Sequence, residues 1–193
     1  MIEILLASAS PRRRELLASL GLIYQAEAPN VDESPRPGEM PIAYVERLAL
    51  DKINAVSADV GALVIAADTT IELDNEIIGK PTDLDDARSM LRRLSGRIHF
   101  VHTGVAVRRD DRCLTATVSS LVAFVALTDE TIEWYLTTGE PLDKAGAYAI
   151  QGAGAVLVQS VEGSVSNIIG LPLHTVVELA AQLGVNLLNS QFE

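Results

Sequence analysis

The sequence predicts an α/β fold built on a mixed sheet, and three observations carry the prediction. Short apolar runs of strand length alternate with segments whose apolar residues recur at helical spacing. Serine, threonine, proline and glycine fall where those helical segments start and stop. Two long runs, 99–107 and 113–126, meet across the polar turn 108–112 as a hairpin, which a purely parallel sheet does not contain.

The elements follow in order. Residues 2–7 form a short apolar run suited to a buried strand. Ser10 is placed as the N-cap of the next helix, with Pro11 at its first position; Leu16, Leu17 and Leu20 give its inner face and Gly21 closes it. The proline- and acid-rich stretch 28–41 reads as a loop, and 42–56 returns to helical spacing with Ile42, Val45, Ala49 and Val56 on one stripe. A strand at 63–67 is followed by 69–73 and a turn at Asp74-Asn75. Thr82 is read as the cap of a helix with Asp85 three residues on, an inner face of Leu84, Ala87, Leu91 and Leu94, and an end at Gly96. After the hairpin, Thr128 caps a helix that stops at Gly139, a strand covers 155–161 and a last helix spans 173–183. The chain of 193 residues fits one domain, 1–193, with 186–193 as a loose tail.

Composition narrows the function. A net charge of -11 repels nucleic-acid backbones, so a general DNA or RNA binder is not expected, whereas a small phosphorylated ligand suits the few basic residues if they gather. Cys113 is the single cysteine, which excludes an intrachain disulfide and suits a reducing, cytoplasmic compartment. His99, His102 and His174 lack zinc-site spacing, and no apolar stretch is long enough to cross a bilayer.

Chemistry concentrates in four places. Arg12, Arg13 and Arg14 stand in the first turn of a helix, where the dipole disfavours cations. An anion at the free N–H groups, beside Ser8 and Ser10, removes that conflict, although a solvated basic turn has the same composition. Lys52 lies on the apolar stripe of its helix and either snorkels at the core edge or points into a cleft. Asp68, at the end of the apolar run 63–67, is costly to bury unless paired, metal-bound or catalytic; a turn-capping Asp is the plainer alternative. Lys80 lies just past the 69–73 hairpin, and Asp32 and Glu33 form an acidic pair in the loop before the second helix. The small-residue stretch 140–152 lets backbone approach a ligand, and its Gln151 carries the donor and acceptors that read a base edge or satisfy backbone. A Walker A motif, a Gly-x-Ser-x-Gly elbow and a full dinucleotide fingerprint are all missing.

Together these segments resemble the Maf family, named for septum formation and associated with nucleotide pyrophosphatases. The matching pieces are SASPRRRELL, ADTTIELDNEIIGKP, LSGRIHFVHTGVAV, GEPLDKAGAYAIQG and NIIGLPL, in family order across residues 4–183. Val165 departs from the pattern, where an aromatic residue is common. The resemblance implies a fold like that of the inosine triphosphate pyrophosphatases, a long mixed β-sheet flanked by helices in two lobes with a central cleft. It implies Asp68 as proton acceptor, with Arg12, Thr69 and Gln151 setting which base is accepted. Ser8, Arg13, Glu33, Lys52 and Lys80 match other polar positions of the family cleft. The AGAYAIQG block is similar to the branch that hydrolyses dTTP and UTP, modified pyrimidine nucleotides included, to the monophosphate and pyrophosphate. A divalent cation, Mg²⁺ or Mn²⁺, on Glu33 and Asp68 and a homodimer belong to the same expectation; whether Asp68 serves as base or metal ligand stays open. A 7-methyl-GTP pyrophosphatase and a non-catalytic nucleotide-binding regulator of cell division are the alternatives.

Overall fold

A computed structural model describes residues 2–188. Among them, seven strands form one sheet in the order β2-β1-β3-β5-β6-β7, with β4 paired to β3. β1 (Ile4–Ala7) runs parallel to β2 (Gln25–Glu27) and to β3 (Leu63–Leu73). β4 (Glu76–Ile78) and β5 (Ile98–Arg109) pair antiparallel with β3, β6 (Arg112–Phe124) with β5, and β7 (Val158–Glu162) with β6. The sheet is mixed, as the hairpin predicts. Asp74 and Asn75 both take positive φ, 56° and 64°, the backbone of a two-residue hairpin turn.

Six helices flank the sheet among these residues: α1 (Pro11–Ala18), α2 (Pro41–Asn54), α3 (Leu84–Leu94), α4 (Asp129–Thr137), α5 (Val165–Ile169) and α6 (Leu173–Gln182). The odd positions of β3 explain the two lobes. Leu63, Ile65 and Ala67 join Ile4, Leu6, Leu17 and the α6 residues Val176 and Leu179 in one core cluster. Ile71 and Leu73 join Leu91 and Leu94 of α3 and Ile132 and Tyr135 of α4 in another. Thr69 interrupts that stripe, so the same sheet face is apolar at both ends and polar between them. On the opposite face Ala49 and Ile53 of α2, with Val56 just past its end, pack on Leu5, Val64, Ala66 and Ala106.

Several expected details shift. Strand β3 does not break at residue 68 but runs through it to Leu73. The cap of α3 is Asp83, whose Oδ1 accepts from Asp86 N at 2.8 Å, while Asp86 Oδ2 accepts from Thr82 N at 2.9 Å. Leu84, the first residue of α3, is 46% exposed, and Ile42 at the start of α2 is likewise exposed. Residues 152–157 form a 3₁₀ turn because positive φ at Gly152 curls the chain, and the strand begins only at Val158. β2 and α5, three and five residues long, are too short for periodicity to reveal. In the segment expected as a loose tail, Leu187 is fully buried against the β1-side core; 189–193 lie outside the described residues.

Candidate active site

Asp68 sits in mid-strand, and what exposes it is the end of its neighbour. β1 stops pairing at Ala7↔Ala66, and β4 begins only at Ile71↔Ile78. From Ala67 to Thr70, β3 therefore pairs on one side alone, with β5, and its other edge opens on a cleft of about 600 Å³. The expected strand-end crevice is present, supplied by β1. Asp68 is 6% exposed, which requires a partner for its charge.

Lys52 supplies it. Its stripe position on α2 aims it down at the sheet, where Nζ donates to Asp68 Oδ1 at 2.5 Å and pairs with Glu33 Oε1 at 2.6 Å. Of the two options open in the sequence, this is the cleft-facing one. The close approach of α2 depends on Gly104, opposite Asp68 on β5, since a Cβ there would run into the backbone of Val45. Glu33 comes from the loop before α2, which Tyr44 ties down by donating from Oη to Glu33 O at 2.9 Å. Lys80 Nζ lies 3.9 Å from Glu33 Oε2 and is otherwise solvent-facing. Burial pushes the Glu33 carboxyl upward, but the hydrogen bond and charge of Lys52, aided by Lys80 and Arg13, hold it below its usual range.

The arginines divide their work. Arg13 turns inward: Nε donates to Gly170 O at 2.7 Å, Nη2 to Thr69 Oγ1 at 3.0 Å and Nη1 to Ser8 Oγ at 3.4 Å. Thr103 Oγ1 donates to Asn167 O at 3.0 Å, so the 2.9 Å contact between the two hydroxyls has Thr69 as donor. The polar interruption in the β3 stripe is thus filled by a guanidinium and two threonines. Burial works against the charge on Arg13, and Asp68 and Glu33 offset part of that cost. Arg12 stays at the mouth, 3.6 Å from Asp143 Oδ2. Ser10 occupies the N-cap position without capping; its own N–H donates to Ser8 Oγ at 3.1 Å.

Gln151 is exposed on the opposite wall, in the segment after α4. The nine residues that the family resemblance implies all border this one cleft; Arg14 and Asp32 are not among its lining. Sequence reasoning missed Tyr44 and Thr103, which hold Glu33 and Thr69, and Tyr148, whose Oη lies 2.8 Å from His99 Nε2 behind the cleft wall. Tyr44 lies on α2 one turn before Arg47, whose guanidinium sits 5.6 Å from the centre of its ring. No periodic signal marks such a tyrosine as the anchor of a preceding loop.

No group of three or more His, Cys, Asp or Glu converges among the described residues. Glu33 and Asp68 nevertheless meet at one point, the Lys52 ammonium. Two carboxylates are a fitting protein share for Mg²⁺ or Mn²⁺, which take the rest of their oxygens from phosphate and water.

The family model described as Maf-like protein matches residues 3–183. The chain belongs to the Maf family. A relative named dTTP/UTP pyrophosphatase from Anaeromyxobacter dehalogenans (strain 2CP-1 / ATCC BAA-258) is 53% identical over 94% of this chain and 94% of its own. Proteins of the same name from Myxococcus xanthus and Symbiobacterium thermophilum are 52% and 49% identical, over 95% of this chain and 94% and 95% of theirs. Among solved structures, a nucleoside-triphosphatase / dITP/XTP pyrophosphatase from Mycobacterium abscessus aligns over 95% of this chain and 97% of that one at 13% identity and a TM-score of 0.44, a level at which nothing about the site is carried across. No helix among the described residues of this Maf protein is long and apolar enough to cross a membrane.

Proposed function

We propose that this chain is a nucleoside triphosphate pyrophosphatase that hydrolyses dTTP and UTP between the α- and β-phosphates. The observation that carries the reading is the Glu33–Lys52–Asp68 cluster in a cleft rimmed by Arg12 and Lys80. Relatives named dTTP/UTP pyrophosphatase, alike over nearly their whole length, support the choice of substrate.

The ammonium of Lys52 has three N–H donors, of which two serve Glu33 and Asp68, leaving one for a phosphate oxygen. Lys80 and Arg12 add charge at the rim, which favours a triphosphate over a neutral ligand. Asp68, oriented by Lys52, accepts the proton of a water that attacks the α-phosphorus; the bond to the bridging oxygen breaks and pyrophosphate leaves. Glu33 would hold a divalent cation, whose chemistry when bound is neutralisation of phosphate charge; Asp68 would join it as ligand only in place of its service as base. Gln151 offers its N–H₂ to a pyrimidine carbonyl and its oxygen to the N3–H of uracil or thymine, so cytosine, which lacks that proton, leaves a polar group unmatched. The family likeness adds a homodimer, and a lone exposed Cys113 suits a cytoplasmic setting.

Pyrophosphate release from dTTP, UTP, CTP, ATP, GTP and 7-methyl-GTP, measured side by side, tests this. The expected result is high kcat/KM for dTTP and UTP, at least about tenfold lower values for the rest, and no turnover in excess chelator until Mg²⁺ or Mn²⁺ is restored. A preference for 7-methyl-GTP or a canonical purine overturns the substrate, and full activity in chelator overturns the metal.

A further inference from the structure

The wall that carries Gln151 is irregular backbone. Between α4 and β7 the chain makes three short 3₁₀ turns, Glu140–Asp143, Ala145–Ala147 and Gly152–Leu157. One carboxylate gathers it. Glu140 Oε1 accepts from Ala153 N at 2.9 Å and Oε2 from Gly154 N at 3.1 Å. Tyr135 Oη donates to Glu140 Oε2 at 3.2 Å and accepts from Ala149 N at 3.1 Å. The backbone on both sides of Gln151 is therefore fixed to one carboxylate–phenol pair.

The sequence around Gln151 is fitted to that grip. Gly152 has φ +75°, and a Cβ on it would collide with Glu140 Oε1; one on Gly154 would collide with Ala149 O and lie 2.7 Å from Tyr135 Oη. Burial raises the Glu140 carboxyl, but hydrogen bonds from Ala153 and Gly154 bring it below its ordinary range, so the acceptor form is the one present at neutral pH. Glu140 is not among the residues bordering the cleft.

We propose that Glu140 is a positioning residue for base selection, which fixes the backbone that aims Gln151 at the nucleotide without touching it. The proposal rests on the reading of Gln151 as a base-edge contact. Glu140→Gln leaves one acceptor oxygen for two backbone N–H groups that now use separate oxygens, and sets an N–H₂ against one of them.

The test measures kcat and KM for dTTP and CTP in the wild type, Glu140→Gln, Gln151→Ala and the double variant, with thermal unfolding of each. We expect Glu140→Gln to cut the dTTP:CTP preference about tenfold, mainly through KM for dTTP, with CTP turnover kept within about twofold. In the Gln151→Ala background the same change should remove no further preference. A folded Glu140→Gln protein with undiminished preference, or one that loses both nucleotides equally, overturns the proposal. A wild type without base preference overturns the reading of Gln151 and this proposal with it, which separates that failure from the first. If Glu140→Gln does not fold, Tyr135→Phe removes the Ala149 acceptor and one Glu140 donor; a smaller loss of preference in the same direction is expected, and an unchanged preference counts against the role.

Discussion

At Lys52 a single ammonium holds two carboxylates, one from a loop and one from a strand, at 2.6 and 2.5 Å, and is itself nearly buried. Removing the basicity of Asp68 without changing its shape is the informative change. Asp68→Asn should lower turnover at least about a hundredfold, the usual scale for general-base removal, while nucleotide affinity measured by calorimetry stays within a few-fold. Near-normal turnover would remove Asp68 from its role. Two cations of the cleft should part company. Lys80→Ala, at an exposed side chain, should weaken triphosphate binding and leave thermal stability alone. Arg13→Ala should weaken binding and lower stability as well, because it takes from the buried Gly170 O its 2.7 Å donor and from Thr69 Oγ1 one of its partners, at a cost of about 1–3 kcal/mol. Denaturant titration beside binding distinguishes the two patterns. Asp68 and Lys52 were legible because charged groups in apolar surroundings are conspicuous in a sequence, whereas Glu33, an acid in a polar loop, was marked as a cleft residue only by the family resemblance. Arg13 was legible as an anion-facing residue, but not as a buried tie between α1 and the turn after α5. Its partners Thr69 and Gly170 are 56 and 157 residues away, and neither has a charge to announce the contact.

Among the elements, the packing of α2 on β5 governs where Lys52 points. Gly104→Ala places a methyl against the carbonyl of Val45 and must lift α2, at about 1–3 kcal/mol for an overpacked core. It should also lower kcat, because Lys52 and Asp68 no longer share one fixed distance. A variant that loses stability with kcat per folded molecule unchanged would show that the site tolerates the shift. Strand and helix order were readable from periodicity, and the sheet's mixed character from one hairpin. The strand through Asp68 was not, because an acid and two threonines break the apolar pattern even though the backbone ladder to β5 continues unbroken. Periodicity reports which face is apolar, not where hydrogen bonding stops. The same reason hides β2 and α5, whose few residues are positioned by their neighbours.

For the molecule as a whole, pH acts through groups far apart. His99 is 1% exposed, burial pushes its pKa down to about 4, and its Nδ1 has no partner among the described residues. An unfolded histidine binds its proton near pH ~6.5. Between those values the unfolded chain binds the proton and the folded one does not, so stability should fall as pH drops through that window, by on the order of 3 kcal/mol. Glu39 acts lower: the hydrogen bonds of Arg47 hold it at about 2, and its contribution is present above the ordinary glutamate range and lost as pH falls towards that value. His99→Gln should flatten the urea-measured stability profile in the upper window and leave the lower one unchanged. An equal slope in both proteins would place the titration elsewhere.

The core beneath β1 joins Ile4 and Leu6 to Val176, Leu179 and Leu187. Ile4 and Leu6 are synthesised well before the α6 residues and Leu187 that complete this core. The α2 face, complete by Ala106, can close early. The opposite face of β1 keeps Ile4 and Leu6 incompletely covered until α6 has been synthesised. The bond from Arg13 to Gly170 waits with it. The cleft is therefore complete only once α5 and α6 have been made, and β1 is the part that a chaperone has most reason to shield.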